Sequence, residues 1–179
     1  MAHSYSNLLY HIVFGTSERR PLIDGVFQPR LYAYLGGTIR GLKGTCLELG
    51  GVEDHMHILV RLPHIISVSD FLEKLKSNSS KWAKSVRRDF GWQRGYAAFT
   101  VSESQFERVA HYIQNQREHH RKTSFEDELI ALLKANGLPY IRITYGLEHG
   151  PPEFLMQNAV ARYAGSLIAA IQLVEVDEL

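Results

Sequence analysis

Positions 5–16 are mostly apolar and partly β-branched, and the polar SERRP stretch ends them, which predicts a first strand. Within 26–42, Leu31, Tyr34, Leu35 and Ile39 recur at helical spacing and the pattern stops among Gly41 and Gly44, so a first helix is expected. Positions 45–53 and 56–62 read as two strands around the turn-prone Glu53-Asp54, with a bulge or bend at Gly50-Gly51. Ser67 offers an N-cap to a second helix expected to run to about Phe90, with Phe71, Leu75, Trp82, Val86 and Phe90 on one face. A fourth strand follows at 95–102. The capping-box pattern from Ser102 to Gln105 opens a third helix expected to reach about His120. Beyond it, 124–136 reads as a helix ended by Gly137 and Pro139, and 140–145 as a short extended piece. A last amphipathic segment to 174 follows Pro151-Pro152. The order β-α-β-β-α-β-α predicts an α+β fold: a split βαββαβ (ferredoxin-like, palm) antiparallel sheet with helices on one face, plus an additional helix after the fourth strand.

Composition narrows the class without changing this picture. The 179 residues hold one cysteine, Cys46, so no intrachain disulfide forms and a reducing cytoplasm is the expected setting. The opening stretch has no basic region before its apolar run, so it reads as a strand and not a signal peptide. The uncharged run at 163–174 is too short to span a bilayer. Charge is unevenly spread. Residues 1–117 carry 15 basic and 10 acidic side chains, and 118–179 carry 5 and 9, so a mildly basic body is followed by an acidic tail. A body of that sign can meet a polyanion, and it is equally the signature of plain solvated surface.

Three constellations carry candidate chemistry. In His55-Met56-His57 the two imidazoles share one face of a strand, which makes either half of a divalent-metal site or a hydrogen-bonded pair. Leu59 stands where a histidine-triad hydrolase needs its third histidine, so that chemistry is excluded. On the third helix, Phe106, Val109, Ala110 and Ile113 form the core stripe, while Arg108, Tyr112, Gln116 and His119 share an adjoining face. A tyrosine there is either functional or simply lies at the core boundary. From 74 to 94 there are seven basic residues and one acid; Lys74, Lys81, Lys84 and Arg88 lie opposite the helix's apolar face. That ridge suits a phosphate backbone, or it is a solvated helix face. Trp92, Tyr96 and Phe99 are near enough to stack bases if they are not buried. No P-loop occurs, and with one cysteine and no second histidine pair at finger spacing a closed tetrahedral zinc site is hard to assemble.

Taken in order, these motifs resemble one family. His55-Met56-His57 fits the HUH motif (His, bulky hydrophobic, His). Tyr112-Ile-Gln-Asn-Gln116 is similar to the tyrosine motif of the single-tyrosine HUH transposases, the small transposases of bacterial insertion sequences (IS200-like) and their REP-associated relatives. The opening strand with SERRP, the WQRGYAAFTVS strand and the REHHRKTSFEDEL segment share the likeness, which runs over about 5–145. The resemblance implies cleavage and rejoining of single-stranded DNA beside hairpins by a homodimer, with a divalent metal, Mg²⁺ or Mn²⁺, and no nucleotide cofactor. It implies His55, His57 and Gln116 as metal ligands and Tyr112 as the nucleophile that forms a 5′-phosphotyrosine. Lys74, Lys81, Lys84, Arg87 and Arg88 are the expected DNA contacts. Arg108, His119 and His120 are expected to touch phosphate or to be structural, and Asp54 to cap its turn or orient His57 from behind. Residues 1–147 are expected to form the transposase domain. The extension 148–179 departs from the family motifs and is assigned no chemistry. The alternative is a domesticated binder of hairpin or single-stranded nucleic acid that has lost catalysis; the complete His55/His57/Tyr112/Gln116 set argues against it.

Overall fold

The structure, a computed structural model, describes residues 5–139. Four strands, β1 (Leu8–Gly15), β2 (Thr45–Val52), β3 (His55–Leu62) and β4 (Ala97–Val101), form one antiparallel sheet in the order β2-β3-β1-β4. With α1 (Phe27–Gly41) between β1 and β2 and α2 (Val68–Val86) between β3 and β4, this is the expected split βαββαβ sheet. Three further helices follow: α3 (Phe106–Gln114), α4 (Gln116–His119) and α5 (Phe125–Ala135). The chain falls into two compact units, one ending at Lys122 and the other beginning at Thr123. The expected domain boundary at 147/148, the extended piece at 140–145 and the final amphipathic segment lie outside the described residues.

Strand alternation sorts β3 into two faces. Met56, Ile58, Val60 and Leu62 point into the main core, where they meet Ile12 and Phe14 of β1, Leu31, Leu35 and Ile39 of α1, and Phe71, Leu72 and Leu75 of α2. Each such side chain taken fully out of water contributes roughly 1.5–3 kcal/mol. Leu59 points the other way and packs with Ala110 and Ile113 of α3. Helices therefore cover both faces: α1 and α2 one, α3 the other. A sheet face carrying Leu59 between His57 and Arg61 needs an apolar cover, and the Ala110/Ile113 stripe supplies it.

Local signals explain most boundaries. Ser67 Oγ accepts from Asp70 N–H at 3.1 Å and starts α2. Asp24 Oδ1 accepts from the N–H groups of Val26 and Phe27 at the start of α1. Ser124 Oγ accepts from Asp127 N–H, and Gly137, with φ +68°, follows α5. Four sequence expectations are corrected. The helix expected to reach Phe90 ends at Val86, which is exposed, because Arg87 turns into extended backbone; Phe90 enters the core from the loop. The Ser102 box does not cap α3: Ser102 Oγ pairs with Ser104 Oγ, and a 3-10 turn at Glu103–Gln105 precedes the helix. The single third helix is broken at Asn115, whose Nδ2 donates to His111 O at 2.7 Å. The bulge lies between Cys46 and Glu48, while Gly50 and Gly51 stay in the ladder opposite His57 and Met56.

Candidate functional site

The β1–β3 register assembles the site. Val13 lies opposite His57 and Gly15 opposite His55, with His11 opposite Leu59, so His11, His55 and His57 all project from the face that α3 covers. On the far side of β3, Gly50 of β2 lies opposite His57. A Cβ on Gly50 would stand 2.0 Å from the carbonyl oxygen of Ile113. Glycine here is what lets the α3 backbone lie directly on β2, and that approach sets the height of Tyr112 over the histidines.

Rings then close around one point. Tyr112 meets His57 edge-on with centroids 5.9 Å apart, His11 at 6.1 Å and His119 at 5.3 Å. His55 lies 5.2 Å from His57 and 4.5 Å from His120. His55 and His57 are completely buried, and Tyr112, His119 and His120 are half-buried. The potential ligand atoms of His55, His57 and His120 lie within 4.8 Å of one another. Two nitrogens bound to one ion at ~2.1 Å sit at most ~4.2 Å apart, so the three imidazoles need only a small adjustment to share a cation. Tyr112 stands beside the histidines of its own chain.

Behind the cluster lies a charged brace. His55 Nδ1 is 2.8 Å from Asp54 Oδ1, and Arg19 Nη2 donates to Asp54 Oδ2 at 2.6 Å. Burial works to raise the Asp54 pKa, but the hydrogen bond from His55 and the Arg19 guanidinium outweigh it and hold the carboxyl below its ordinary value. Glu18 and Arg19 adopt left-handed backbone, φ 56° and 55°, which costs ~1–2 kcal/mol per residue. The turn is held by Thr16 Oγ1, which contacts Arg20 O at 2.6 Å and Asp54 O at 3.1 Å. The strained turn is what brings Arg19 to Asp54.

The expected residues separate into groups. His55, His57, Tyr112 and His119 come together with His120. Gln116 is 1% exposed on α4, one turn beyond Tyr112, and α4 packs on β2. Arg108 is exposed one turn before Tyr112. Asp54 braces His55, whereas the place behind His57 is taken by His11, whose Nε2 is 2.9 Å from His57 Nδ1. Lys74, Lys81, Lys84 and Arg88 are exposed. The α2 ridge lies across the sheet from the histidines. Arg87 faces inward instead, donating to Leu22 O and pairing with Asp24 beside the Phe27 ring. Trp92 donates to Ser79 Oγ and packs on Phe14 and Phe90, and Phe99 is buried near His11, so both are structural. Sequence reasoning missed His11 altogether and placed His120 behind Gln116 as a ligand. The one signal for His11 was a polar residue inside an otherwise apolar strand.

A scan against protein families matches the IS200-like transposases over residues 4–116. The transposases for insertion sequence element IS200 of Salmonella typhimurium and Salmonella typhi are each 32% identical over 127 residues, covering 66% of this chain and 82% of theirs. The fold is similar to that of a Deinococcus radiodurans R1 protein described as a transposase, with a TM-score of 0.54, 22% identity and coverage of 65% of this chain and 95% of that one. It is also similar to a REP-associated tyrosine transposase bound to a REP hairpin, with a TM-score of 0.52, 14% identity and coverage of 85% and 96%. The family match and the Salmonella relatives thus place this four-stranded sheet, with its histidine pair on the inner strand and its tyrosine helix laid over it, among the small transposases of insertion sequences. The chain belongs to the IS200-like transposase family. Among the described residues no helix is long and apolar enough to cross a membrane.

Proposed function

We propose that this protein cuts and rejoins single-stranded DNA beside a hairpin, with Tyr112 as the nucleophile and a divalent cation on the histidine cluster. The observation that carries this reading is the Tyr112 ring edge-on to His57 at 5.9 Å, within a group of three imidazoles that can share one ion. His55, His57 and His120 would hold the cation, with the buried Gln116 amide as the oxygen donor that the family likeness suggests. Three imidazoles favour Mn²⁺ over Mg²⁺, which prefers oxygen ligands. A bound cation supplies charge neutralisation and polarisation of the scissile phosphate.

The chain's own groups do the rest. The Tyr112 oxygen forms a bond to phosphorus as the bond to the 3′ oxygen breaks, leaving a 5′-phosphotyrosine and a 3′ oxygen that takes a proton from water to become a free 3′-hydroxyl. A phenol with an ordinary pKa of about 10 needs a proton acceptor. His119, whose ring is nearer to Tyr112 than those of His57 and His11, is our choice for it. Rejoining reverses the step: a 3′-hydroxyl attacks the phosphotyrosine, so the ester energy is kept and no nucleotide is consumed. We also assign the protein to the cytoplasm and its working form to a homodimer, which sedimentation of the full chain tests.

The test is a denaturing gel of the protein incubated with single-stranded oligonucleotides from the DNA flanking its gene, with Mn²⁺ or Mg²⁺. The expected result is a covalent protein–DNA adduct that Tyr112→Phe abolishes and His57→Ala reduces at least about 100-fold. Tight hairpin binding by the wild type with no adduct would overturn the catalytic reading in favour of a binder. An adduct that survives in Tyr112→Phe would overturn the role of that residue.

A further inference from the structure

The imidazole behind His57, that of His11, has no part in the chemistry proposed above. His11 sits near the centre of β1, 4% exposed, between Leu59 of β3 and Phe99 of β4. It is diagonal to His57 across the β1–β3 pair, the offset at which longer side chains still touch. The two rings stack at 28° with centroids 5.1 Å apart, and His11 Nε2 lies 2.9 Å from His57 Nδ1.

We propose that His11 is a positioning residue for metal binding: it accepts the Nδ1–H of His57 and so fixes the tautomer that presents Nε2 of His57 to the cation. A neutral imidazole carries one N–H and one lone pair. If His11 were the donor, His57 would accept at Nδ1, hold its proton on Nε2 and lose its ligating atom. Asp54 does the same for His55, as an acceptor that cannot donate when ionised. The two ligands are therefore set by two different acceptors. The environment gives the reason. Asp54 lies in a turn where Arg19 balances its charge. His11 lies in mid-sheet between apolar neighbours, where a carboxylate would be costly and an imidazole offers a lone pair without net charge.

This inference rests on the metal reading, and the test separates the two. In long-range ¹H–¹⁵N spectra of the metal-free full-length protein, His57 is expected as the Nδ1–H tautomer; finding its proton on Nε2 overturns the role of His11. Calorimetric titration with Mn²⁺ is expected to show His11→Phe binding 10–100-fold more weakly than wild type. His11→Gln, whose Oε1 can accept in place of Nε2, is expected to stay within about threefold of wild type, which a loss due only to packing would not spare. Equal binding by wild type and His11→Phe overturns the role of His11 and leaves the metal reading standing. No Mn²⁺ binding by the wild type overturns the metal reading, and the function of His11 with it, whatever the spectrum shows.

Discussion

Lys76 shows how burial and chemistry compete in one side chain. Its ammonium donates to the carbonyls of Arg94 and Gly95 at 3.0 and 2.9 Å and lies 5.3 Å from the Phe14 ring centre, tying the loop before β4 to α2. Burial pushes its pKa down to about 8 from 10.5. Between those values the unfolded chain holds more protons than the folded one, so this group makes stability rise with pH across about 8 to 10.5. Urea midpoints of wild type and Lys76→Met are therefore expected to diverge in favour of wild type as pH climbs from 8 to 10; a constant difference would show that Lys76 does not titrate there. His11, His55 and His57 are buried polar residues of another kind, each paired with a neighbour that gives its ring a direction. Strand alternation alone puts His55 and His57 on one face, so that half of the site is legible in the sequence. Nothing in the sequence links His11 to His57, 46 positions away, because that contact exists only once the register of β1 on β3 is set.

At the scale of elements, the site depends on how closely α3 lies on β2. Gly50 is the contact point, and its neighbour is a backbone carbonyl that no side-chain rotation can move away. Gly50→Ala is expected to cost at least about 1–3 kcal/mol and to lift Tyr112 from His57, so that stability in urea and adduct formation both fall. Gly36→Ala is the control. It lies within α1 with open space for a Cβ, and it is expected to gain about 0.5–1 kcal/mol of stability with adduct formation unchanged. If Gly50→Ala keeps full stability, close approach is not what sets the site. The sequence marks Gly50-Gly51 as special but points to a bulge, because a strand glycine signals either a kink or a close neighbour. The break at Asn115 is hidden for a similar reason: the helical period continues through it, while the Asn115 amide competes locally for His111 O.

Across the whole molecule, the sheet separates two candidate surfaces. The histidine cluster and Tyr112 occupy the α3 side; the ridge of Lys74, Lys81 and Lys84 lies on the outer side of α2, beyond the main core. A change on the ridge should therefore leave the histidine cluster alone. Lys81→Glu/Lys84→Glu is expected to weaken binding of a hairpin oligonucleotide and to reduce its salt dependence by a slope of about 2. Mn²⁺ affinity should stay at the wild-type value. Unchanged hairpin affinity would make the ridge a solvated face. Arg87 stands next to this ridge in sequence yet belongs to a clamp on Asp24, since a helix ending at Val86 turns its guanidinium toward Leu22. The sequence by itself determined the order of strands and helices, the shared face of His55 and His57 and the amphipathic stripe of α3, because each follows from a local period of two or 3.6 residues. Only the tertiary structure decided that α3 covers the opposite face from α1 and α2, that His120 joins the histidine cluster, and that His11 stands behind His57. Those depend on strand register and helix height, which are set by packing between residues far apart in the chain and leave no mark in local spacing.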